Sequence, residues 1–248
     1  MSITWQPLDS SPALKASEVH LIAASLSEDP AVANHYWEIL SSEEQARANQ
    51  FRFAKHRSHF IMARGILRHI LAGQTGIQPK AIEFRYLEYG KPELLQNTSP
   101  ALQFNVSHSD AMALYALTLE HSIGVDIEMI KPCNELELAK RFFAQDEYKA
   151  LHALSAKDRT NAFFQIWTLK EAFIKALGTG LFQALDQFCV SAGAEGKLIS
   201  CQDANGPTSD WYMRVFNYSE HYQAAFASKQ AIKAVHYWQW QNILCENR

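Results

Sequence analysis

Two acidic residues in the segment GVDIE, residues 124–128, have a spacing that suits a small cation site. The segment reads as a short strand, in which successive side chains point to opposite faces. Asp126 and Glu128 therefore point to one face, roughly 6–7 Å apart, while Val125 and Ile127 point to the other. Either that face is exposed to water, or the two carboxylates share a cation.

A third carboxylate lies in the segment IWTLKEAFIKALG, residues 166–178. On a helical wheel its apolar residues form a broad arc and leave a narrow polar strip that contains Glu171 and Lys175. Lys170 falls inside the apolar arc, so its ammonium must reach solvent or find an anion. Glu171 and Lys175 could form an ordinary i,i+4 ion pair. Together with the GVDIE acids, however, this set suits Mg²⁺ and phosphate, because a hard cation takes oxygen ligands.

A block of basic residues lies between Gln45 and Ile82, where the sequence contains no Asp or Glu. Its cationic residues are Arg47, Arg52, Lys55, Arg57, Arg64, Arg68 and Lys80. In a chain of net charge −3 this block is either a solvated helix face or a site for a multiply anionic ligand. Nucleic acid is disfavoured as that ligand, because exposed aromatic residues are not interleaved with the basic ones.

Three further segments carry polar groups at predicted turns and helix ends. FNVSHSD, residues 104–110, ends a strand and contains Ser107 and His108, which indicate either turn chemistry or contact with phosphate. A Ser-His hydrolase site is disfavoured because no G-x-S-x-G elbow is present. Lys91 lies in a GKP turn as a phosphate contact or an ordinary loop lysine, and Glu147 lies in a first helical turn, where it could cap the helix.

The elements that must position these residues indicate an α+β fold. Helical patterns begin at Ser41, continue through the basic block to a C-cap at Gly73, and return over residues 136–143, 146–154 and 159–177. Strands are predicted at residues 19–24, 82–86, 102–106, 111–119, 122–128, 188–191, 211–215, 223–228 and 235–239. Each half is thus a helical stretch followed by strands, without long alternating βαβ units.

The chain divides most naturally near Glu120 into residues 1–119 and 120–248, which places GVDIE at the seam between two halves. Clefts between such halves are common places for binding sites. The composition, 48% hydrophobic and 20% charged, is that of an ordinary globular protein. We expect four free cysteines in a reducing compartment, no signal peptide, no membrane span and therefore a cytoplasmic location.

Six segments, in this order, resemble the 4′-phosphopantetheinyl transferases of the long, surfactin-synthetase-activating (Sfp-like) type. They are FAKHRSHFIMARGILR, EYGKPEL, FNVSHSD, IGVDIE, KRFFAQDEY and WTLKEAFIKALGTGL, and they lie within residues 47–190. GVDIE alone would be a weak signal. GVDIE followed by WxxKEAxxKxxG, with NVSHS ahead of it, is a specific combination.

The resemblance implies a transferase that moves 4′-phosphopantetheine from coenzyme A to a serine of an apo acyl or peptidyl carrier protein and releases adenosine 3′,5′-bisphosphate. Such an enzyme serves fatty acid, polyketide or nonribosomal peptide biosynthesis. The family's fold is a pseudo-dimer of two similar α+β halves in one chain, with coenzyme A in the cleft. It predicts a monomer that binds neither nucleic acid nor membrane.

The resemblance also assigns roles to residues. Mg²⁺, or Mn²⁺, would be held by Asp126, Glu128 and Glu171. The catalytic candidates would be Glu171, Lys175, Glu147 and His108. Coenzyme A would be held by Lys55, Arg57, Arg64, Lys91, Ser107, His108, Lys170 and Lys175. The residues themselves leave open another Mg²⁺-dependent phosphotransferase or nuclease, a binding module without turnover, and the choice between Glu171 and Glu147 as the base.

Overall fold

Helices and strands alternate in groups along the chain, which confirms an α+β fold. The computed structural model describes residues 3–8, 11–180, 183–191, 193, 195–201 and 207–241. The α-helices in this part of the chain are α1 (Pro30–Trp37), α2 (Ser42–Asn49), α3 (Ala54–Thr75), α4 (Glu135–Phe142), α5 (Gln145–His152) and α6 (Ala156–Leu177). The strands are β1 (Gln6–Leu8), β2 (Glu18–Ser25), β3 (Phe84–Tyr86), β4 (Pro92–Leu94), β5 (Leu102–Ser109), β6 (Met112–Leu119), β7 (Ile123–Met129), β8 (Phe188–Val190), β9 (Leu198–Cys201), β10 (Tyr212–Ser219), β11 (Tyr222–Ser228) and β12 (Ala234–Trp240).

Two main sheets organise these strands. The first has the order β1-β12-β2-β6-β5, and the second has the order β10-β11-β7. β12 runs parallel to both of its neighbours, whereas the other pairs in the two sheets are antiparallel. Short hairpins, β3-β4 and β8-β9, accompany the two sheets.

The two halves of the chain repeat one topology. In the first half β2 pairs with β6 and β6 with β5; in the second half β7 pairs with β11 and β11 with β10. Between the first strand and the closing hairpin each half carries a helix of 22 residues, α3 or α6, and then a short hairpin. Both long helices end at a glycine in the left-handed region, Gly76 with φ 72° and Gly178 with φ 76°. The C-cap predicted at Gly73 is therefore wrong by three residues, because α3 continues to Thr75.

Strand β12 crosses the predicted division at residue 120. It comes from the second half of the sequence, yet it lies between β1 and β2 in the first sheet. Its register places His236 opposite His20 and Trp238 opposite Ile22. The second half thus contributes a strand to the sheet of the first half.

Three apolar layers hold the molecule together. α3 packs on one face of the first sheet, α6 packs on one face of the second, and the other faces of the two sheets pack against each other. Leu21 of β2, Val125 of β7 and Phe226 of β11 are fully buried in the central layer. Because Val125 and Ile127 face this central layer, alternation turns Asp126 and Glu128 toward α6. No helix in the described part of the chain is long and apolar enough to cross a bilayer.

Candidate active site

Gly124 lets helix α6 cross strand β7 at very short distance. A Cβ atom at this position would lie 2.0 Å from the carbonyl oxygen of Ala172 and 2.3 Å from the backbone nitrogen of Ala176. Any larger residue would therefore push the helix away from the strand. This crossing places Glu171 and Lys175 of α6 beside the acidic face of β7.

The edge of β5 holds the two acids of β7. Ser107 Oγ donates to Asp126 Oδ1 at 2.8 Å, and Ser109 Oγ donates to Glu128 Oε2 at 2.8 Å. Asn105, on the same face of β5, accepts a hydrogen bond from the backbone of β7. The alternate side chains of the motif NVSHS thus position the two carboxylates. The hydroxyl of Ser107 is already hydrogen-bonded to Asp126.

Asp126 lies at the centre of the acidic cluster. Its side chain is buried, and Lys175 Nζ approaches its Oδ1 atom at 2.6 Å while also donating to Ser107 at 2.9 Å. The other oxygen, Oδ2, is buried and has no hydrogen-bond partner. A buried carboxylate oxygen without a partner is unfavourable unless a ligand supplies the missing positive charge. This atom therefore fits a cation.

The two neighbouring carboxylates also lack sufficient positive charge. Burial, followed by the charge of Asp126, raises the pKa of both Glu128 and Glu171. In the described residues, the oxygens of these three acids do not converge as closely as those of a compact ligand set. Side-chain rotation would have to bring them together around an ion.

A cavity of about 700 Å³ opens over this cluster, large enough for a cofactor-sized ligand. Its charged and titratable lining residues are Asp126, Glu128, Glu171, Lys175, His108, Arg47 and Arg64. Ser107 also lines it, and aromatic rings line it as well, those of Phe51, Phe60, Tyr86 and Trp167. The cavity therefore has an acidic end made by β7 and α6, and a basic and aromatic wall made mainly by α2, α3 and β3.

Arg64 is held in place on this wall. Its Nε lies 2.8 Å from Glu44 Oε1, and its guanidinium lies over the ring of Phe84 at 4.6 Å. It also donates to the hydroxyl of Tyr86. Glu44 in turn accepts from the backbone N–H of Ser41, in the capping box that begins α2. The same cap fixes the helix that carries the wall's second arginine.

Lys55 and Arg57 are not among the residues that line the cavity. Lys55 Nζ lies 3.1 Å from both Glu28 and Asp110, in an exposed ion-pair cluster. The Arg57 guanidinium lies over the Trp37 ring at 5.1 Å. Both remain near the N-terminal end of α3, with protein partners of their own.

Lys91 lies outside the cavity lining and bonds to the backbone of β7 and α6. Its Nζ donates to the carbonyl oxygens of Ile123 at 3.2 Å and Ala176 at 3.1 Å, and burial lowers its pKa to about 8. Its neighbours Gly90 and Pro92 line the cavity instead. The Lys91 ammonium thus ties the first half to β7 and α6, and its expected contact with phosphate stays a prediction.

Glu147 and Lys170 also lie outside the cavity, in a buried ion pair with a separation of 2.8 Å. Lys170 is 0% exposed and donates to the carbonyl oxygens of Leu185 and Phe188. Glu147 accepts from the backbone N–H groups of Ala144 and Val190. The anion that Lys170 requires is thus a protein carboxylate. Every polar group of the pair has a protein partner, and the roles expected for Lys170 and Glu147, phosphate contact and base, stay predictions.

Five of the charged and aromatic lining residues were missed as site candidates: Arg47, Phe51, Phe60, Tyr86 and Trp167. Trp167 precedes Glu171 and Lys175 by one and two helical turns, so the spacing of four could have identified it. Arg47 stands in the basic block. Tyr86 reaches the cavity from a hairpin, and no local pattern points to it.

Two family models match consecutive parts of the chain. Residues 29–120 match the model of the N-terminal part of 4′-phosphopantetheinyl transferases, and residues 122–227 match that of the 4′-phosphopantetheinyl transferase superfamily. A solved holo-[acyl-carrier-protein] synthase from Thermotoga maritima covers 44% of this chain and 62% of its own, with 22% identity and a TM-score of 0.34.

Curated relatives match over longer stretches. The chain is 42% identical to the 4′-phosphopantetheinyl transferase HetI of Nostoc sp. (strain PCC 7120), over 72% of this chain and 76% of the relative. It is 31% identical to the 4′-phosphopantetheinyl transferase Sfp of Bacillus subtilis (strain 168), over 77% of this chain and 82% of the relative. The chain therefore belongs to the 4′-phosphopantetheinyl transferases and is an enzyme of that family.

Proposed function

We propose that the cavity binds coenzyme A and a divalent cation, and that the enzyme transfers 4′-phosphopantetheine to the serine hydroxyl of an apo acyl or peptidyl carrier protein. Family membership supports transfer to a carrier protein. The observation that carries the proposal for this cavity is the buried, unpartnered Oδ2 of Asp126, with Glu128 and Glu171 on the same wall.

Asp126, Glu128 and Glu171 would hold Mg²⁺ or Mn²⁺, because hard divalent cations take carboxylate ligands and keep positions open for phosphate oxygens. Bound there, the ion would neutralise charge on the pyrophosphate of coenzyme A. Burial and the charge of Asp126, which together raise the pKa of Glu128 and Glu171, favour such an ion.

Lys175 would act on the phosphate at the acidic end. Its ammonium lines the cavity and now bonds Asp126 and Ser107, so a short movement of a flexible side chain would bring it to a phosphate oxygen. There it would stabilise negative charge on the departing adenosine 3′,5′-bisphosphate. Arg47, Arg64 and His108 would hold the remaining phosphate, and the aromatic wall would pack against the adenine and the pantetheine arm.

In the transfer, a bond forms between the serine oxygen and the β-phosphorus, and the bond from that phosphorus to the bridging pyrophosphate oxygen breaks. The serine proton requires an acceptor. We propose Glu171, directly or through water, because its carboxylate lines the cavity. Glu147 is not used, since it is buried and paired with Lys170.

The repeated topology supports a pseudo-dimer. Residues 1–119 and 120–248 each carry a strand, a long helix and a closing hairpin in the same order, and the two family models meet between residues 120 and 122. The cavity lies between α3 of one half and α6 of the other. Because the second half fills the position that a second subunit would occupy, we expect a monomer, located in the cytoplasm with its coenzyme A.

The proposal is tested by analysing the nucleotide product. The enzyme is incubated with coenzyme A and an apo carrier protein, with Mg²⁺ or with a chelator, and the nucleotides are separated by chromatography. Release of adenosine 3′,5′-bisphosphate only with both carrier and Mg²⁺ is expected. Release without a carrier, or equal release under chelation, would contradict the proposal.

A further inference from the structure

A second group of metal-ligating side chains lies on the first sheet, where β2 and β12 run side by side. The parallel register places Glu18 opposite Ala234 and His20 opposite His236. Because side chains two residues apart on a strand share a face, Glu18 and His20 point the same way. His236 joins them from the neighbouring strand.

The ligand atoms of these three side chains all lie within 4.8 Å of one another. Glu18 Oε2 is 3.8 Å from His20 Nε2 and 3.6 Å from His236 Nε2. Both separations are too long for good hydrogen bonds. A tetrahedral ion with bonds of about 2.1 Å holds its ligand atoms about 3.4 Å apart, so these two separations would have to shorten only slightly.

The unpartnered nitrogen of His236 is the second sign of a ligand. Its Nε2 atom is buried and lacks a hydrogen-bond partner, although the ring itself is partly exposed. The His236 ring stacks on Trp238 at 6.2 Å, and the ring of buried His20 meets it edge-on at 4.9 Å. Thr118 of β6 donates to the carbonyl oxygen of Glu18, which fixes the backbone of β2 that carries the carboxylate. The three side chains thus have neighbours that position them, and those of Glu18 and His236 are partly exposed.

We propose that Glu18, His20 and His236 bind a divalent transition metal ion of the Zn²⁺ type, with water as the remaining ligand. Two imidazoles and one carboxylate suit Zn²⁺, Co²⁺ or Ni²⁺ better than Mg²⁺, which takes oxygen ligands. None of the three residues is among those that line the large cavity, so this site is separate from the proposed active site. The ion would join β12 to β2 and so stabilise the position of β12 in the sheet of the first half.

The test uses the chain freed of metals by chelation and then dialysed, in a reducing buffer that contains excess Mg²⁺ to occupy oxygen-rich sites. Zn²⁺ is titrated by calorimetry, and the melting temperature is measured with and without it. We expect one Zn²⁺ per chain and a higher melting temperature. Co²⁺ in its place should give the strong visible absorption of a tetrahedral site.

Two variants and one control decide the outcome. His236→Ala and Glu18→Gln should each weaken Zn²⁺ binding at least tenfold and remove the thermal shift. His221→Ala, which removes an exposed histidine elsewhere on the surface, should leave both unchanged. Failure of the wild-type chain to bind Zn²⁺, or equal binding by the His236→Ala and Glu18→Gln variants, would overturn the proposal.

Discussion

Lys170 and Lys175 lie five residues apart on α6 and have opposite surroundings. Lys170 is enclosed with Glu147 and two backbone carbonyl groups, whereas Lys175 faces the cavity beside Asp126. A buried cation with every donor satisfied serves the fold. A cation at the rim of a cavity can exchange its partner for a ligand.

Lys170→Met should therefore unfold the protein more easily. It leaves the Glu147 carboxylate buried without its cation and removes the donor to Leu185 and Phe188. The free energy of unfolding should fall by about 3–5 kcal/mol, measured by urea denaturation. Lys149→Met, on the surface of α5, should change it little. A Lys170→Met variant of normal stability but without activity would instead show that Lys170 contacts substrate.

Glu171→Gln should lower activity without lowering stability. It removes a like charge from beside Asp126 and Glu128, so stability without metal should hold or rise. Activity should fall by about 100-fold or more, because a ligand and the proposed base are lost together. The exposed control Glu220→Gln should retain activity. Near-normal turnover by Glu171→Gln, assayed alongside a thermal melt, would exclude Glu171 from the chemistry.

Lys91 should make stability depend on pH. Burial lowers its folded pKa to about 8, whereas the unfolded chain holds the proton up to about 10.5. Below pH 8 Lys91 is protonated in both the folded and the unfolded state, so the cost of burying its charge lowers the free energy of unfolding in full. Between these values the unfolded state binds more protons, so wild-type stability should rise with pH relative to Lys91→Met, by up to about 3 kcal/mol.

Urea denaturation of wild type and Lys91→Met at several pH values between 7 and 10 measures this difference. Effects of all other groups cancel in the comparison. A neutral amine still has two N–H donors, one for each of the carbonyl groups of Ile123 and Ala176. A difference that stays constant over the range would show that Lys91 titrates at its ordinary pKa.

At the residue scale, the acids that line the cavity could be predicted from the sequence, whereas the buried ion pair of Glu147 and Lys170 could not. Asp126, Glu128 and Glu171 were expected in one cavity, because strand alternation and a helical polar strip each have a direction. Lys170 was recognised as requiring an anion. Whether that anion is a ligand or Glu147 depends on the packing of α5 against α6, which no local pattern contains.

At the scale of elements, the crossing of α6 over β7 decides the geometry of the site. Gly124→Ala should lower activity sharply, because its Cβ would meet the backbone at Ala172 and Ala176. We expect a loss of stability of about 3 kcal/mol or more. Gly76→Ala is the comparison: its φ of 72° is strained for alanine but its Cβ meets open space, so it should lose only about 1 kcal/mol. Thermal melts and assays of both variants distinguish close packing from backbone strain, and equal losses would contradict this explanation.

The elements were predicted more accurately where their patterns are long. The α6 helix and its stop at Gly178 were expected from periodicity and the following glycines. α3 runs past Gly73 because one glycine inside a helix disfavours it by only about 1 kcal/mol. α1 was missed, although Asp29 and Pro30 form a recognisable N-cap and first turn.

At the scale of the whole molecule, the two halves share a topology, and the second half contributes strand β12 to the sheet of the first. The α+β class follows from the grouping of helices and strands along the chain. The place of β12 between β1 and β2 was not predicted, because strand partners so distant in sequence are chosen by packing and not by local propensity. The pairing of β12 with β2 also brings together Glu18, His20 and His236, which no sequence motif connects.

The intact mass of an apo carrier protein, measured after incubation with coenzyme A and Mg²⁺, tests the central claim most directly. Wild-type enzyme should add the mass of one phosphopantetheine group, and a chelator or Glu171→Gln should prevent the addition. An unchanged carrier mass with several unrelated apo carriers, or full modification by Glu171→Gln under chelation, would contradict a metal-dependent transfer in this cavity.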